Sequence, residues 1–325
     1  MAYITRREGL AAGAMAALMA ATGQASAETW PELKLLVPAA PGGGWDQIAR
    51  TMQQALTGER MVRSAPVTNI PGAGGIIGLA QFINGSRGDG ATLMASGFVM
   101  VGAILLNKAP VTLEQVTPIA RLMGEPMAFV VRAQSPIKTP QDLAAAVKAD
   151  VSKVSWGGGS AGGVDHITAA IFTATAGADG SKVNYIAHAG GGESMASILG
   201  GRVTVGVGGV SEFAQHVTSG RLRFVGITAP KGTAGLPGPT FKDQNFDLEI
   251  QNWRGVFAGP GISDAQRTAL ETLVTEMVKS KTWREQLVAR GWDDAFLVGA
   301  PFAQFVTDEM KRVSEVMRSL GLIRA

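Results

Sequence analysis

The chain has 325 residues, 46% of them hydrophobic and 17% charged, enough to bury a sizeable core and to form two domains. A formal net charge of only +3, with no basic run longer than two residues, argues against nucleic acid as a partner. With no cysteine at all, the protein is neither stapled by disulfides nor a thiol enzyme.

The N-terminus, "MAYITRREGLAAGAMAALMAATGQASA", has the layout of a bacterial export signal. Arg6 and Arg7 form a basic part, Gly9 to Thr22 an apolar part, and Ala25-Ser26-Ala27 a small-x-small end. A membrane anchor would need about 20 strongly apolar residues, and this run is shorter and mostly Ala and Gly. Residues 1–27 are therefore predicted to be a signal peptide cleaved after Ala27, which places the mature protein in the periplasm. Thr5-Arg6-Arg7 fits the twin-arginine route, but Gly9 stands where a bulky apolar residue is usual, so the general secretory route stays open.

Beyond the signal, strand and helix patterns alternate. "LKLLVPA" is a short apolar run, and Ile48, Met52, Ala55 and Leu56 then fall on one helical face. "PVTNI" predicts a strand, "PGAGG" a loop, and Ile76 to Asn84 a helix; Asp89-Gly90 turns the chain into "ATLMAS". Two apolar runs, "TPIARLM" and "MAFVVRA", precede a restart at Thr139-Pro140-Gln141-Asp142, where a cap, a proline and an acid introduce "LAAAVKA". "KVSWGGG", "KVNYIAH", "RVTVGVGG" and "RLRFVGITA" predict further strands. "NWRGVFAGPG" reads as a strand returning to the first domain. Ser263 with Gln266 forms a capping box before Leu270, Leu273, Val274 and Met277, and the last 75 residues read as mostly helical.

This alternation predicts two α/β domains, each a mostly parallel sheet flanked by helices and joined by two hinge strands. Their predicted limits are 28–125 plus 254–325, and 126–253, with hinges near 122–132 and 250–256.

Ligands of such sheets sit beyond the carboxyl ends of the strands. Glycine clusters occupy those places at Gly42-Gly43-Gly44, Gly72 to Gly75, Gly157 to Gly163 and Gly190 to Gly192. Unpaired N–H groups and the positive end of the dipole make a helix N-terminus an anion site, and glycine lets the anion reach the backbone. No cluster ends in the Gly-Lys-Ser/Thr of a phosphate loop, and Gly72-x-Gly74 lacks the acid expected about 20 residues on, so nucleotide binding is disfavoured. A carboxylate needs only a few N–H and hydroxyl donors, and Ser96, Ser160, Ser194 and Ser211 lie beside the clusters. Asp46 reads as the N-cap of its helix, and Trp45 either as a cleft wall or as ordinary core.

Gly158-Gly159-Ser160-Ala161-Gly162 also fits the nucleophile elbow of a serine hydrolase. The three histidines, His166, His188 and His216, would have to meet Ser160 in space, and no oxyanion motif precedes it. Their spacing suits no metal, and no cofactor is expected.

"PGGGWDQIAR", "NIPGAGGIIGLAQF", "SPIKTPQDL", "SWGGGSAGGVDHI", "ILGGRVTVGVGG" and "NWRGVFAGPGIS" together resemble the solute-binding receptors of tripartite tricarboxylate transporters, the Bug family. The resemblance runs over the whole mature chain. It implies a periplasmic binding protein fold, type II-like, and a non-catalytic receptor that captures a di- or tricarboxylate, citrate-like, in an interdomain cleft. It implies delivery to a membrane permease and a monomeric state. The matching positions assign one carboxylate to Pro41, Gly42, Gly43, Gly44, Trp45 and Asp46 with Ala73, Gly74 and Gly75. Ser96, Ser160, Ala161, Gly162, Gly191, Gly192 and Ser211 complete the expected site. An exported hydrolase using Ser160, or a sensory binding protein without a permease, are the alternatives.

Overall fold

The computed structural model describes residues 30–233 and 235–324; the signal predicted for 1–27 lies outside them. The chain opens with β1 (Trp30–Glu32), β2 (Lys34–Val37) and helix α1 (Gly44–Gly58). Ile48, Met52, Ala55 and Leu56 are buried along α1, as their spacing predicts. There follow β3 (Val62–Ser64), β4 (Val67–Asn69), a 3₁₀ turn at Ala73–Gly75, α2 (Ile76–Gly85), β5 (Thr92–Gly97), α3 (Phe98–Asn107) and β6 (Thr117–Gly124).

After Glu125 and Pro126 the chain enters a second lobe. Its elements are β7 (Met127–Arg132), α4 (Pro140–Ala149), β8 (Ser155–Gly158), α5 (Val164–Thr175), β9 (Asn184–Ala187), α6 (Gly191–Leu199), β10 (Val205–Gly209), α7 (Val210–Thr218) and β11 (Leu222–Ile227). It returns through β12 (Arg254–Ala258) and ends with α8 (Asp264–Lys279), α9 (Lys281–Arg290), β13 (Asp293–Val298) and α10 (Ala300–Ser319). The capping boxes at Thr139 and Ser263 form as the sequence predicts.

Each lobe is built on one main sheet. The first has the order β13-β6-β12-β5-β2-β4, the second β11-β7-β10-β8-β9. Both sheets are mixed, which corrects the expectation of mostly parallel ones: β5-β2-β4 and β10-β8-β9 run parallel, while the other pairs are antiparallel. A parallel neighbour needs a crossover within its own sheet. β7 and β12 instead arrive from the other lobe, so no crossover fixes their direction. The C-terminal segment is mostly helical, as the sequence predicts, with β13 added to it; the half-exposed residues of β13 lie on a sheet edge and carry no clear alternation.

The second-lobe core is organised around Phe129, whose ring meets Phe241, Trp156 and Phe172 edge-on at centroid distances of 4.9, 5.1 and 5.4 Å. Each such pair adds about 0.5–1.5 kcal/mol beyond the area it buries. The two crossing segments lie side by side. Glu125 N donates to Asn252 O at 3.2 Å, and Asn252 N to Glu125 O at 2.8 Å. On the opposite rim, Gly102 of α3 packs directly on the carbonyl of Gly162, and a β-carbon at Gly102 would overlap it.

The interlobe cleft as candidate binding site

The ends of the parallel strands open into a cleft of about 610 Å³ between the lobes. The loop after β2 contributes Gly42 to Gly44, the loop after β4 Pro71 to Gly74, and the loop after β8 Gly159 and Ser160. The loop after β9 adds His188 to Gly191, and the crossing segment adds Asn252 and Arg254.

The bare backbone has two causes within the protein, and some of its glycines have neither. Gly42 has φ +85° and Gly74 +64°, in the left-handed region where a side chain is strained. Gly44 is bare because the Arg254 guanidinium lies on it: a β-carbon there would come within 2.6 Å of Nη2. Gly43 has neither reason. Its φ is −75°, and a β-carbon would meet only Ala40 O at 3.6 Å. Gly190, on the opposite wall, has an extended backbone and nothing within 4 Å of a β-carbon.

Asp46 organises the first loop, but not as the helix cap. The N-cap is Gly43, and Asp46 lies three residues further on, where its side chain reaches back. Its Oδ2 accepts from Gly42 N at 2.8 Å and Arg50 Nε at 2.9 Å, and its Oδ1 from Asn69 Nδ2 at 3.0 Å. Burial works against ionisation of Asp46, but these hydrogen bonds outweigh it and hold the carboxyl below its usual range. Trp45 is both core and wall: it is buried, underlies Gly75 and lines the cleft.

Of the residues expected from sequence, Gly42, Gly43, Gly44, Trp45, Ala73, Gly74, Ser160 and Gly191 line the cleft together. Pro41, Ala161 and Gly192 are exposed beside it and are not among the lining residues. Gly75 is buried beneath the second loop, and Gly162 is packed against Gly102 and Leu106. Ser96 is fully buried and donates to Met100 Sδ, because its strand places it in the core. Ser211 binds the Glu125 carboxylate through both its N–H and its hydroxyl.

Three charged residues of the lining escape the glycine-centred reading: Arg254, Asp165 and Glu212. Arg254, on β12, donates through Nη2 to Glu125 at 3.0 Å, with both side chains almost wholly buried. Glu125 thus joins β12 of the first lobe to the start of α7 in the second. An arginine inside the apolar run "NWRGVFA" is a signal that could have been read, since a strand buries a cation only with a partner.

Asp165 Oδ2 accepts from Gly159 N at 2.6 Å, and burial pushes its carboxyl up to about 6. Glu212 is exposed to the cleft as a residue, while its carboxyl lies close against Gly191 and Gly208 and accepts from Gly209 N. This burial, with the like charges of Glu125 and Asp165, pushes it up to about 7. Both acids stand in the first turn of a helix, and neither is assigned a role from sequence.

Ser160 lacks the surroundings of a nucleophile elbow. It lies four residues before α5, and no hydrogen bond joins it to a histidine among the described residues. His166 Nδ1 accepts from Gly162 N at 3.1 Å, and burial lowers its pKa to about 4, so the ring is neutral. His188 Nδ1 is bonded to Gly158 O at 3.1 Å. Among the described residues, no three His, Asp or Glu side chains gather to hold a metal.

Residues 48–322 match the family model described as "Tripartite tricarboxylate transporter family receptor". The chain belongs to this family. Protein BugT of Bordetella pertussis is 27% identical over 304 residues, covering 91% of this chain and 92% of BugT. Among solved structures, the periplasmic binding protein BugD superposes with a TM-score of 0.79 at 21% identity, covering 91% of this chain and 99% of BugD. MatC from Rhodopseudomonas palustris, solved with bound malate, gives a TM-score of 0.75 at 21% identity, covering 88% of this chain and 98% of MatC. The fold is therefore the two-lobed α/β fold of periplasmic binding proteins, and the chain is a solute-binding receptor of the tricarboxylate-transporter type.

Proposed function

We propose that this receptor captures a small di- or tricarboxylate between its lobes without transforming it, and delivers it to a membrane permease of the tripartite tricarboxylate type. One carboxylate lies against the loops 41–46 and 71–75, and the second lobe reads the remainder. The observation that carries this reading is Gly43: it lines the cleft, has ordinary dihedrals and room for a β-carbon, and is bare nonetheless. A group approaching from the cleft gives that bareness a purpose, and the N-terminal amides of α1 supply the donors. The malate held by MatC agrees with the chemistry proposed.

Export by the leader 1–27, lobes limited to 28–125 plus 254–325 and 126–253, and a monomeric receptor complete the reading. The lobes close about the paired segments at Glu125 and Asn252. Melting the purified protein with citrate, malate and C4–C8 diacids tests it, because a ligand specific to the folded state raises the melting temperature. A shift with at least one acid, recovered unchanged after prolonged incubation, is expected; no shift with any acid would refute the reading.

A further inference from the structure

The two walls of the cleft differ in hydrogen-bond chemistry. The first-lobe wall presents main-chain donors at the start of α1. The second-lobe wall adds two carboxyl groups, each with one oxygen occupied: Asp165 Oδ2 by Gly159 N at 2.6 Å, and Glu212 Oε1 by Gly209 N at 3.3 Å. Asp165 Oδ1 and Glu212 Oε2 accept no hydrogen bond among the described residues. Among the described residues no lysine lines the cleft, and the one guanidinium that does, Arg254, is already paired with Glu125. Asn252, only 7% exposed and also in the lining, has an Oδ1 without a partner. Three carboxylates against one guanidinium give this wall a formal charge of −2 when all are ionised. A solute presenting only further carboxylates would meet like charge and acceptors without protons.

We propose that the second lobe selects an ammonium group: the solute is an amino-substituted carboxylate, anchored by a carboxylate on the first-lobe loops and by its ammonium on Asp165 and Glu212. This rests on the receptor reading above and narrows its substrate class. Charge-assisted bonds to two carboxylates satisfy an ammonium that would otherwise lose its hydration on closure. The like charge of Asp165, which adds to burial and to Glu125 in raising Glu212, is relieved by the same cation. Ser160 and Ser194, with the N-terminal amides of α5 and α6, remain as donors for a second carboxylate.

Calorimetry on ligand-stripped mature protein decides the matter, using matched pairs: aspartate and succinate, glutamate and glutarate, 2-aminoadipate and adipate. In at least one pair the amino member is expected to bind about tenfold or more tightly. Glu212→Gln, which keeps the side-chain shape, should bring that pair near parity, weakening the amino member by its lost ion pair and strengthening the deaminated member by the removal of like charge; Asp165→Asn should act likewise. Should either variant misfold, the other decides. Equal or tighter binding of the deaminated members would overturn the inference. So would binding of citrate or malate with no member of any pair, and in both cases the receptor reading would stand. If no acid binds at all, both fall.

Discussion

The guanidinium of Arg254 fills the space a side chain at Gly44 would need, its Nη2 2.6 Å from where a β-carbon would be, while the same Nη2 holds Glu125 at 3.0 Å. A glycine at the start of α1, an arginine on β12 and a glutamate in the crossing segment thus form one buried assembly. Removing the cation leaves an uncompensated carboxylate in the interior. Arg254→Ala is expected to lose about 3–5 kcal/mol in urea unfolding, and the double variant Arg254→Met with Glu125→Gln to recover most of it. Equal losses in the two proteins would show that the ion pair is not what matters.

Gly43 and Gly74 are both bare, for different reasons, and alanine separates them. At Gly43 a β-carbon fits the protein, so Gly43→Ala should fold within about 0.5 kcal/mol of wild type yet lose most of its affinity for the acid. At Gly74 the left-handed backbone and a 2.5 Å approach to Ala103 Cβ cost about 2–4 kcal/mol, so Gly74→Ala should melt well below wild type. Paired melting curves and titrations measure both; unimpaired binding by Gly43→Ala would remove the reason for its bareness.

Asp46 should matter as much for the loop as for the helix. Asp46→Ala deletes three acceptor contacts and is expected to cost about 1–3 kcal/mol and to weaken binding, because Gly42 N is released. Its folded-state pKa is lowered, so its contribution is complete above the ordinary carboxyl range and is lost as the pH falls through the folded value. On acidification wild type is therefore expected to lose more stability than Asp46→Asn, which has no carboxyl to protonate; equal losses in acid unfolding would show that the contribution is absent.

The cleft acids act in the opposite sense. Asp165 and Glu212 have folded-state values of about 6 and about 7, above the ordinary 3.8 and 4.5. Between those limits the folded form binds more protons than the unfolded chain, so stability is full at the acid end and declines as the pH rises through the folded values. Glu125, Asp165 and Arg254 are the charged groups acting on Glu212. The buried neutral His166 opposes this trend below its ordinary 6.5. Between pH 6.5 and 8, ligand-free wild type should therefore lose more melting temperature than Glu212→Gln; parallel curves would contradict the assignment.

Gly102 tests closure. Gly102→Val puts methyl groups into the Gly162 carbonyl, so it should hold the rims apart and weaken binding while each lobe keeps its secondary structure. Small-angle scattering with saturating ligand is expected to give a larger radius of gyration than wild type; an unchanged radius would argue against that contact as the point where the lobes meet.

Much of this was legible in the chain. The helix stripe of Ile48, Met52, Ala55 and Leu56, the boxes at Thr139 and Ser263, and the glycine loops after strands are local patterns, and they appear where their spacing puts them. Sheet direction was not legible, because β7 and β12 owe theirs to the passage between lobes. The pairing of Arg254 with Glu125 spans 129 positions, and nothing local to either residue announces the other. The glycines were legible as a class but not by cause: Gly44 yields to a guanidinium, Gly42 and Gly74 to backbone handedness, and Gly43 and Gly190 to neither.

At the rim formed by Gly102 and Gly162, main chain meets main chain with no side chain between. Such a stop cannot be compressed or repacked, so the nearest approach of the lobes there belongs to the polypeptide and not to its cargo. On the proposed closure, solutes of different size would alter how the cleft fills but leave that edge of the outline the same.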